Sequence, residues 1–296
     1  MPKSEEKPAG KITDIAIFKN KNNEPEIEIP PEKLQVILEY FNISGEFETI
    51  GLECENDHIQ IVSTNPTHNI MPHYIGLPEN TKIIKEGYFV LEPKKILDAI
   101  SRKYKDVKLL NLSWKKGDKI LITGDGHSPV KITPQAVTTL NIPPLNRRLP
   151  FENKSLLYTK KDGNQTIMED DDVTPQREQA ESFITVEQKE LMKAAADLGF
   201  AGTSYIIFHF DEDGGWSETG SWSPKGDTSR TDGIVLDNFE GEPLEIAFPK
   251  SFLDVVKRLP GVIDIQGTKR RTAMVLSQWK NNEEIHYTIV ETEKEE

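Results

Sequence analysis

The sequence predicts an α+β chain made of two similar halves, each with two helices packed on antiparallel sheet. Three observations carry this. Four segments with helical periodicity begin near residues 31, 93, 185 and 249, at intervals of 62, 92 and 64 residues. Strand-like runs outnumber the helices heavily. They follow one another through short turns, which points to helices on one face of a sheet and not to a doubly wound fold. The repeat is one of architecture, with little residue identity between the halves.

Composition narrows the function classes. The chain has 296 residues, 36% apolar and 29% charged, enough for one large domain or two ordinary ones with a sizeable core. Its net charge of -13 argues against a protein that coats nucleic acid over its whole surface, but leaves room for a local basic patch. One cysteine, Cys54, allows neither an intrachain disulfide nor a four-cysteine metal cluster. With no secretory leader and no long apolar run, a soluble intracellular protein is expected.

Residues 1–10 read as a flexible leader, 12–18 as a first strand and 19–24 as a polar turn. Pro30 and Pro31 open the first helix. Its apolar stripe is Leu34, Ile37, Leu38 and Phe41, and its outer side, with Glu32, Lys33 and Glu39, is roughly neutral. Strands are expected at 47–54 and 58–63, joined by a turn at Glu55, Asn56 and Asp57, then at 71–77 and 88–91 across a charged loop at 78–87. The second helix starts at Pro93 and buries Ile96, Leu97, Ile100 and Tyr104. It turns Lys94, Lys95, Arg102, Lys103 and Lys105 outward, opposed only by Asp98. Strands at 107–114, 119–123 and 129–133 follow. The proline-spaced stretch 135–148, with Leu140, Ile142 and Leu145, reads as an extended linker.

Residues 160–181 hold seven acids against three bases and read as a solvated insertion. The third helix is expected from Thr185, with capping-box spacing to Gln188, a stripe of Leu191, Met192, Ala195 and Leu198, and a stop at Gly199. Strands at 205–210, 216–222, 233–236 and 244–248 lead to the most informative segment, 249–261. There Phe252, Val255, Val256 and Leu259 recur at i, i+3, i+4 and i+7, while Lys250, Lys257 and Arg258 lie off the stripe. Pro249 suits a first helical position and Pro260-Gly261 ends the helix. Strands at 262–266, 273–278 and 285–290 close the chain.

Catalytic and metal patterns are weak. His58, His68 and His73, with Glu53 and Asp57 near them, are spaced by 10 and 5 residues and form neither HExxH nor His-X-His. Asp170, Asp171 and Asp172 lack EF-hand spacing. The glycine turns at 124–128 and 213–215 fit neither a phosphate-binding loop nor a dinucleotide fingerprint, and no G-x-S-x-G elbow occurs. No cofactor, metal or enzymatic activity is expected.

Taken in order, the elements resemble the DNA sliding clamp family, of the archaeal and eukaryotic type typified by proliferating cell nuclear antigen. Helix order and spacing match a two-domain clamp protomer. The run LECENDHIQIV, 52–62, is similar to the clamp segment where a histidine follows a tight turn, and ESFITVEQKELMKAAADLG, 181–199, to the start of a clamp's second domain. FPKSFLDVVKRL, VIDIQGTKRRTAMVLSQW and EIHYTIV are similar to its close. The resemblance spans about 30–150 and 181–292.

The resemblance implies the processivity fold, divided into a first clamp-like domain at 11–138, a connector with the acidic insertion at 139–181, a second domain at 182–291 and an acidic tail at 292–296. It implies a ring, a homotrimer in this branch, joined edge to edge. Helices would line a hole for double-stranded DNA, held without base-specific contacts, and the ring would tether DNA polymerase. A clamp loader and peptide-motif partners are implied too, and no membrane contact. Residues facing DNA would be Lys94, Lys95, Arg102, Lys103, Lys105, Lys193, Lys250, Lys257 and Arg258, with Lys269, Arg270 and Arg271 in a turn. A partner-peptide pocket would use His58, Ile59, Leu140, Ile142, Leu145, Thr288, Ile289 and Val290. The weakly basic first and third helices keep open a monomeric or mixed-ring clamp-fold protein. A β-rich hydrolase or structural protein is the remaining alternative.

Overall fold

The computed structural model describes residues 24–43, 47–55, 57–65, 70–115, 117–136, 139–140, 151–152, 157–159, 165–167, 178–197, 205–220, 230–249, 252–267, 273–280 and 283–290. The first half comprises β1 (Glu26–Ile29), α1 (Pro31–Tyr40), β2 (Ile50–Glu55), β3 (His58–Val62), β4 (Ile70–Gly76), β5 (Lys82–Lys85), β6 (Gly87–Leu91), α2 (Pro93–Lys103), β7 (Leu110–Ser113), β8 (Ile120–Gly124) and β9 (Val130–Ile132). Four short strands follow: β10 (Phe151–Glu152), β11 (Leu157–Thr159), β12 (Gln165–Ile167) and β13 (Glu178–Gln179). The second half comprises β14 (Ser182–Glu187), α3 (Gln188–Asp197), β15 (Tyr205–Asp211), β16 (Gly214–Gly220), β17 (Arg230–Ile234), β18 (Leu236–Gly241), β19 (Leu244–Pro249), α4 (Phe252–Arg258), β20 (Val262–Gly267), β21 (Ala273–Lys280) and β22 (Glu283–Val290).

Nine strands from both halves form one sheet in the order β18-β14-β20-β21-β22-β4-β3-β2-β6. A five-stranded sheet, β5-β1-β7-β8-β9, belongs to the first half and a four-stranded sheet, β17-β16-β15-β19, to the second. All the pairings in these three sheets are antiparallel. The halves meet where β22 pairs with β4, Glu283 opposite Gly76 through Ile289 opposite Ile70.

The helices form one layer. α1 lies beside α2, α3 beside α4, and α1 also touches α4, giving the order α2-α1-α4-α3. Each presents its apolar stripe to a core that is continuous between the halves. Leu34, Ile37, Leu38 and Phe41 are buried from α1, and Phe252, Val255, Val256 and Leu259 from the α4 region, the stripes expected from periodicity. Phe252 stacks on Phe248 with ring centroids 4.4 Å apart and tilts against Phe208 at 5.4 Å. Two hydrogen bonds tie the second half to the C-terminal end of α1. The buried Tyr287 hydroxyl donates to the Tyr40 carbonyl at 2.8 Å, and Arg258 Nη2 donates to the Asn42 carbonyl at 3.2 Å. Both satisfy carbonyls at or just beyond the helix end.

Several sequence expectations are corrected. The third helix begins at Gln188, not Thr185. Thr185 lies within β14, where its hydroxyl bonds Asp264 across the sheet at 3.0 Å, so strand pairing overrides the capping-box spacing. β19 runs through Pro249, and α4 starts at Phe252. Strand β5 occupies part of the charged stretch 78–87: its KIIK sequence is solvated because it is an edge strand. Strands β1 and β18 were not anticipated. β18 ends at Gly241, whose φ of +103° and close approach to the Glu181 backbone leave no room for a Cβ. Within 160–181, the described residues include β12, paired antiparallel with β11, and β13, paired parallel with β10. The expected first strand at 12–18 lies outside the described residues.

Phe252→Ala is expected to lower unfolding stability by about 3–5 kcal/mol, the cost of truncating a fully packed aromatic. Lys257→Ala on the exposed side of the same helix should stay within about 0.5 kcal/mol of the parent. Urea unfolding of the two variants checks both values.

Candidate nucleic-acid interface and partner surface

Positive charge on the helical layer is concentrated on α2. Residues 93–105 carry five bases and one acid. Lys94, Lys95, Arg102 and Lys105 are exposed. Among the described residues Lys94, Arg102 and Lys105 have no ion pair, so their charge is available to an outside anion. Lys95 pairs with Glu92 at 2.5 Å. Lys103 is half-buried: it donates to Ser128 Oγ at 2.7 Å and lies 5.9 Å from the Tyr104 ring centroid. Tyr104 in turn donates to the Ile122 carbonyl, so the end of α2 is pinned to β8.

The other three helices are nearer neutrality. On α4, Lys257 is exposed and 3.4 Å from Asp254, while Arg258 is half-buried and bonded to the Asn42 carbonyl. Arg258 is therefore a tie between halves before it is a phosphate ligand. On α3, Lys193 is exposed, and Lys189 is paired with Glu187, which raises its pKa. Lys250, Lys269, Arg270 and Arg271 lie outside the described residues.

The expected partner-pocket residues divide between two faces of the nine-stranded sheet. Strand alternation sends Ile59 on β3 and Ile289 on β22 into the core beneath the helices, where both are fully buried. This corrects the expectation for these two, since neither can touch a ligand on the opposite face. His58 and Thr288 are on that outer face. Leu140 is buried with Val62, Tyr88 and Val90, and Trp114 packs against them. The chain just before Leu140 is tied down by the Gln135 N–H donating to the Val90 carbonyl at 2.9 Å and Gln135 Nε2 to Glu92 at 2.8 Å. Ile142 and Leu145 lie outside the described residues; Val290 closes β22.

At the β2–β3 turn, His58 Nδ1 is 2.8 Å from Asp57 and Nε2 is 3.5 Å from Glu55. Among the described residues this is the one group of three or more potential metal ligands close enough to consider. Each ring nitrogen faces a different carboxylate. That arrangement suits an imidazole held between two acceptors better than a shared ion. His73 instead contacts Gln60, at 3.2 Å, and is not part of the His58 group. His68 lies outside the described residues.

Sequence reasoning missed a buried polar lane on the outer face. Glu53, Gln60, His73, His286 and Glu284 are each at most 3% exposed, and the ladders set them side by side across β2, β3, β4 and β22. Gln60 donates to Glu53 at 2.6 Å, and His73 and His286 lie with ring centroids 6.3 Å apart. Glu284 Oε1 is 2.9 Å from His286 Nε2. Burial, with the nearby Asp264 charge, pushes the Glu284 carboxyl up to about 11, and burial pushes the His286 imidazole down to about 3. The pair is thus a neutral acid beside a neutral imidazole, because desolvating two charges there costs more than their attraction returns. The alternation of Glu284, His286 and Thr288 with Ile285, Tyr287 and Ile289 was the available signal.

No protein-family model matches the sequence, and no curated protein matches it. Solved structures do. The A. fulgidus PCNA structure with a bound C-terminal region of FEN-1 aligns at TM-score 0.62 and 13% identity, over 92% of this chain and 100% of that one. PCNA from Thermococcus kodakaraensis aligns at 0.61 and 12%, over 91% and 100%. The DNA polymerase III beta subunit from Thermotoga maritima aligns at 0.65 and 14%, over 97% of this chain and 69% of that one. The chain therefore has the sliding-clamp fold, as the order of its elements implied. No described helix is long and apolar enough to cross a membrane.

The Glu284–His286 pair gives stability opposite pH slopes. Folded Glu284 keeps its proton above pH 4.5, where the unfolded chain releases it, so this group's contribution falls as pH rises through neutrality toward about 11. Folded His286 stays neutral below pH 6.5, where the unfolded chain takes up a proton, so its contribution falls as pH drops toward about 3. Glu284→Gln is expected to remove the alkaline loss. Its stability relative to the parent should climb between pH 6 and 9 with a slope of up to about 1.4 kcal/mol per pH unit. Denaturant unfolding of both proteins across that range checks it.

Proposed function

We propose that the chain is a sliding clamp: it assembles into a ring, most simply a homotrimer, encircles duplex DNA, and tethers a DNA polymerase and other replication or repair proteins. The observation that carries the reading is the continuous α2-α1-α4-α3 layer, which turns Lys94, Arg102 and Lys105 to solvent with no ion partner among the described residues. In a protein of net charge -13, such a surface attracts phosphate locally while the remaining surface repels it. The role is one of encirclement and tethering, not catalysis. Ring closure would join an edge of the five-stranded sheet in one protomer to an edge of the four-stranded sheet in the next, removing edges that would otherwise stay open.

In this reading residues 11–138 and 182–291 are the two clamp domains and 139–181 the connector between them. DNA-facing charge comes first from Lys94, Lys95, Arg102 and Lys105, with Lys103, Lys193 and Lys257 beside them. A partner peptide would approach the outer face near His58, Leu140 and Thr288, and a clamp loader would be the partner that opens the ring. A second reading, a clamp-fold protein that stays monomeric or joins a mixed ring, is favoured by the near-neutral outer sides of α1 and α3.

Light scattering across a dilution series is expected to give a constant mass of three protomers; a monomer at every concentration would replace the first reading with the second. Replacing Lys94, Arg102 and Lys105 together by Gln should weaken binding to circular duplex DNA and lower its log–log salt slope by roughly two to three. Unchanged affinity and slope would remove α2 from the DNA-facing surface.

A further inference from the structure

The glycine turn that joins β8 to β9 lies against the end of the most basic helix. Its residues Asp125, Gly126, His127, Ser128 and Pro129 are all exposed. The backbone of the turn is nevertheless held. The His127 N–H donates to the Gly124 carbonyl at 3.1 Å. Gly124 packs so closely on the helix end that a Cβ there would stand 2.9 Å from Val107, and Gly126 takes a φ of +77°. The buried Tyr104 hydroxyl lies 3.1 Å from the Ser128 carbonyl and accepts the Val130 N–H at 3.1 Å. The His127 ring meets the Tyr104 ring edge-on, with centroids 5.8 Å apart. Ser128 is thus fixed through its main chain and open at its side chain. Its Oγ accepts from Lys103 Nζ at 2.7 Å, and among the described residues Lys103 has no ion pair.

We propose that Ser128 is a phosphorylation site whose phosphate neutralises charge on α2. Pro129 follows the serine, and a residue before proline is biased to extended backbone, the form that a kinase cleft accepts. Proline also brings no N–H that the cleft would have to satisfy. Lys131 is exposed and stands three positions after the serine, so Ser-Pro-Val-Lys has the pattern read by proline-directed serine kinases. Strand β9, which carries Lys131, is at the edge of its sheet and leaves one side of the segment unpaired in the protomer. In the reaction the γ-phosphoryl group of ATP passes to Ser128. A bond forms between Oγ and phosphorus, the bond from phosphorus to the ADP oxygen breaks, and a carboxylate of the kinase takes the hydroxyl proton. The phosphoserine brings about 1.5 to 2 negative charges and three acceptor oxygens to an atom that Lys103 already reaches. Residues 93–105 carry five bases and one acid, a net of +4, so the phosphate cancels up to roughly half of it. The modification stands on the turn itself; its effect on DNA rests on the clamp reading.

The test treats the full chain with a cyclin-dependent kinase and magnesium ATP. Peptide mass spectrometry is expected to place phosphate on Ser128, and Ser128→Ala to lose it. A ³¹P titration of the product should show the second phosphate ionisation below its usual value of about 6, and Lys103→Gln should move it back, because the ammonium favours the dianion. Binding to circular duplex DNA should weaken about tenfold, with the log–log salt slope falling by roughly one to two, at unchanged mass by light scattering. Phosphate on other residues with Ser128 untouched, or an ionisation that Lys103→Gln does not move, would overturn the proposal. So would unchanged DNA binding by the phosphorylated chain where the joint replacement of Lys94, Arg102 and Lys105 weakens it. If that replacement also leaves binding unchanged, the clamp reading loses its α2 surface, and the ³¹P titration alone decides for or against the site.

Discussion

Strand β22, at the end of the second half, hydrogen-bonds to β4 of the first half from Glu283 opposite Gly76 to Ile289 opposite Ile70. What makes the two halves one body follows from that ladder. It turns two smaller sheets into one of nine strands, brings α1 against α4, and makes the helical core continuous. Tyr287 reaches Tyr40, and Arg258 reaches Asn42, only because β22 is already in register. Slipping the strand by one residue would send Ile285, Tyr287 and Ile289 outward and Glu284 and His286 into the helix core.

That register also sorts chemistry by face. Beneath the helices the nine-stranded sheet buries Leu52, Ile59, Ile61, Ile184, Ile265, Ile285 and Ile289. On its other side lie Glu53, Gln60, His73, Glu284 and His286, all buried, and burial keeps the Glu284 carboxyl and the His286 imidazole neutral. Exposed charge is carried elsewhere: cations on α2, and anions along 205–249, where the sequence has ten acids and two bases. A chain of large negative charge can thus hold a basic surface, because the two signs are carried by different elements and screened from each other by solvent.

Much of this was legible in the sequence, for identifiable reasons. Phe252, Val255, Val256 and Leu259 revealed α4 because burial on one side of a helix imposes a 3.6-residue period. The order and spacing of the four helices carried the fold, although identity to the solved clamps is 14% or less in the three aligned structures. Boundaries were less legible. Thr185 has the spacing of a helix cap and is a strand residue, because only the tertiary ladder decides which pairing it joins. Edge strand β5 was hidden by its own solvation. The site was harder still. Exposed lysines on α2 follow from amphipathicity, but that Arg258 is half-buried and bonds a carbonyl 216 residues away does not. Nor does a charged letter announce that Glu284 is buried; only the face assigned to β22 by its partner strand does.

The β22–β4 seam has a consequence for how the chain is made. Synthesis proceeds from the N-terminus, so β4 emerges with its outer edge unpaired and waits while some two hundred residues are added; Tyr74 finds its hydrogen-bond partner Glu283 209 positions later. Until then β2, β3, β4 and β6 form a sheet whose β4 edge is bare and open to any extended chain nearby. The two halves are joined by β22, and a polypeptide released short of it would leave the β4 edge open for good.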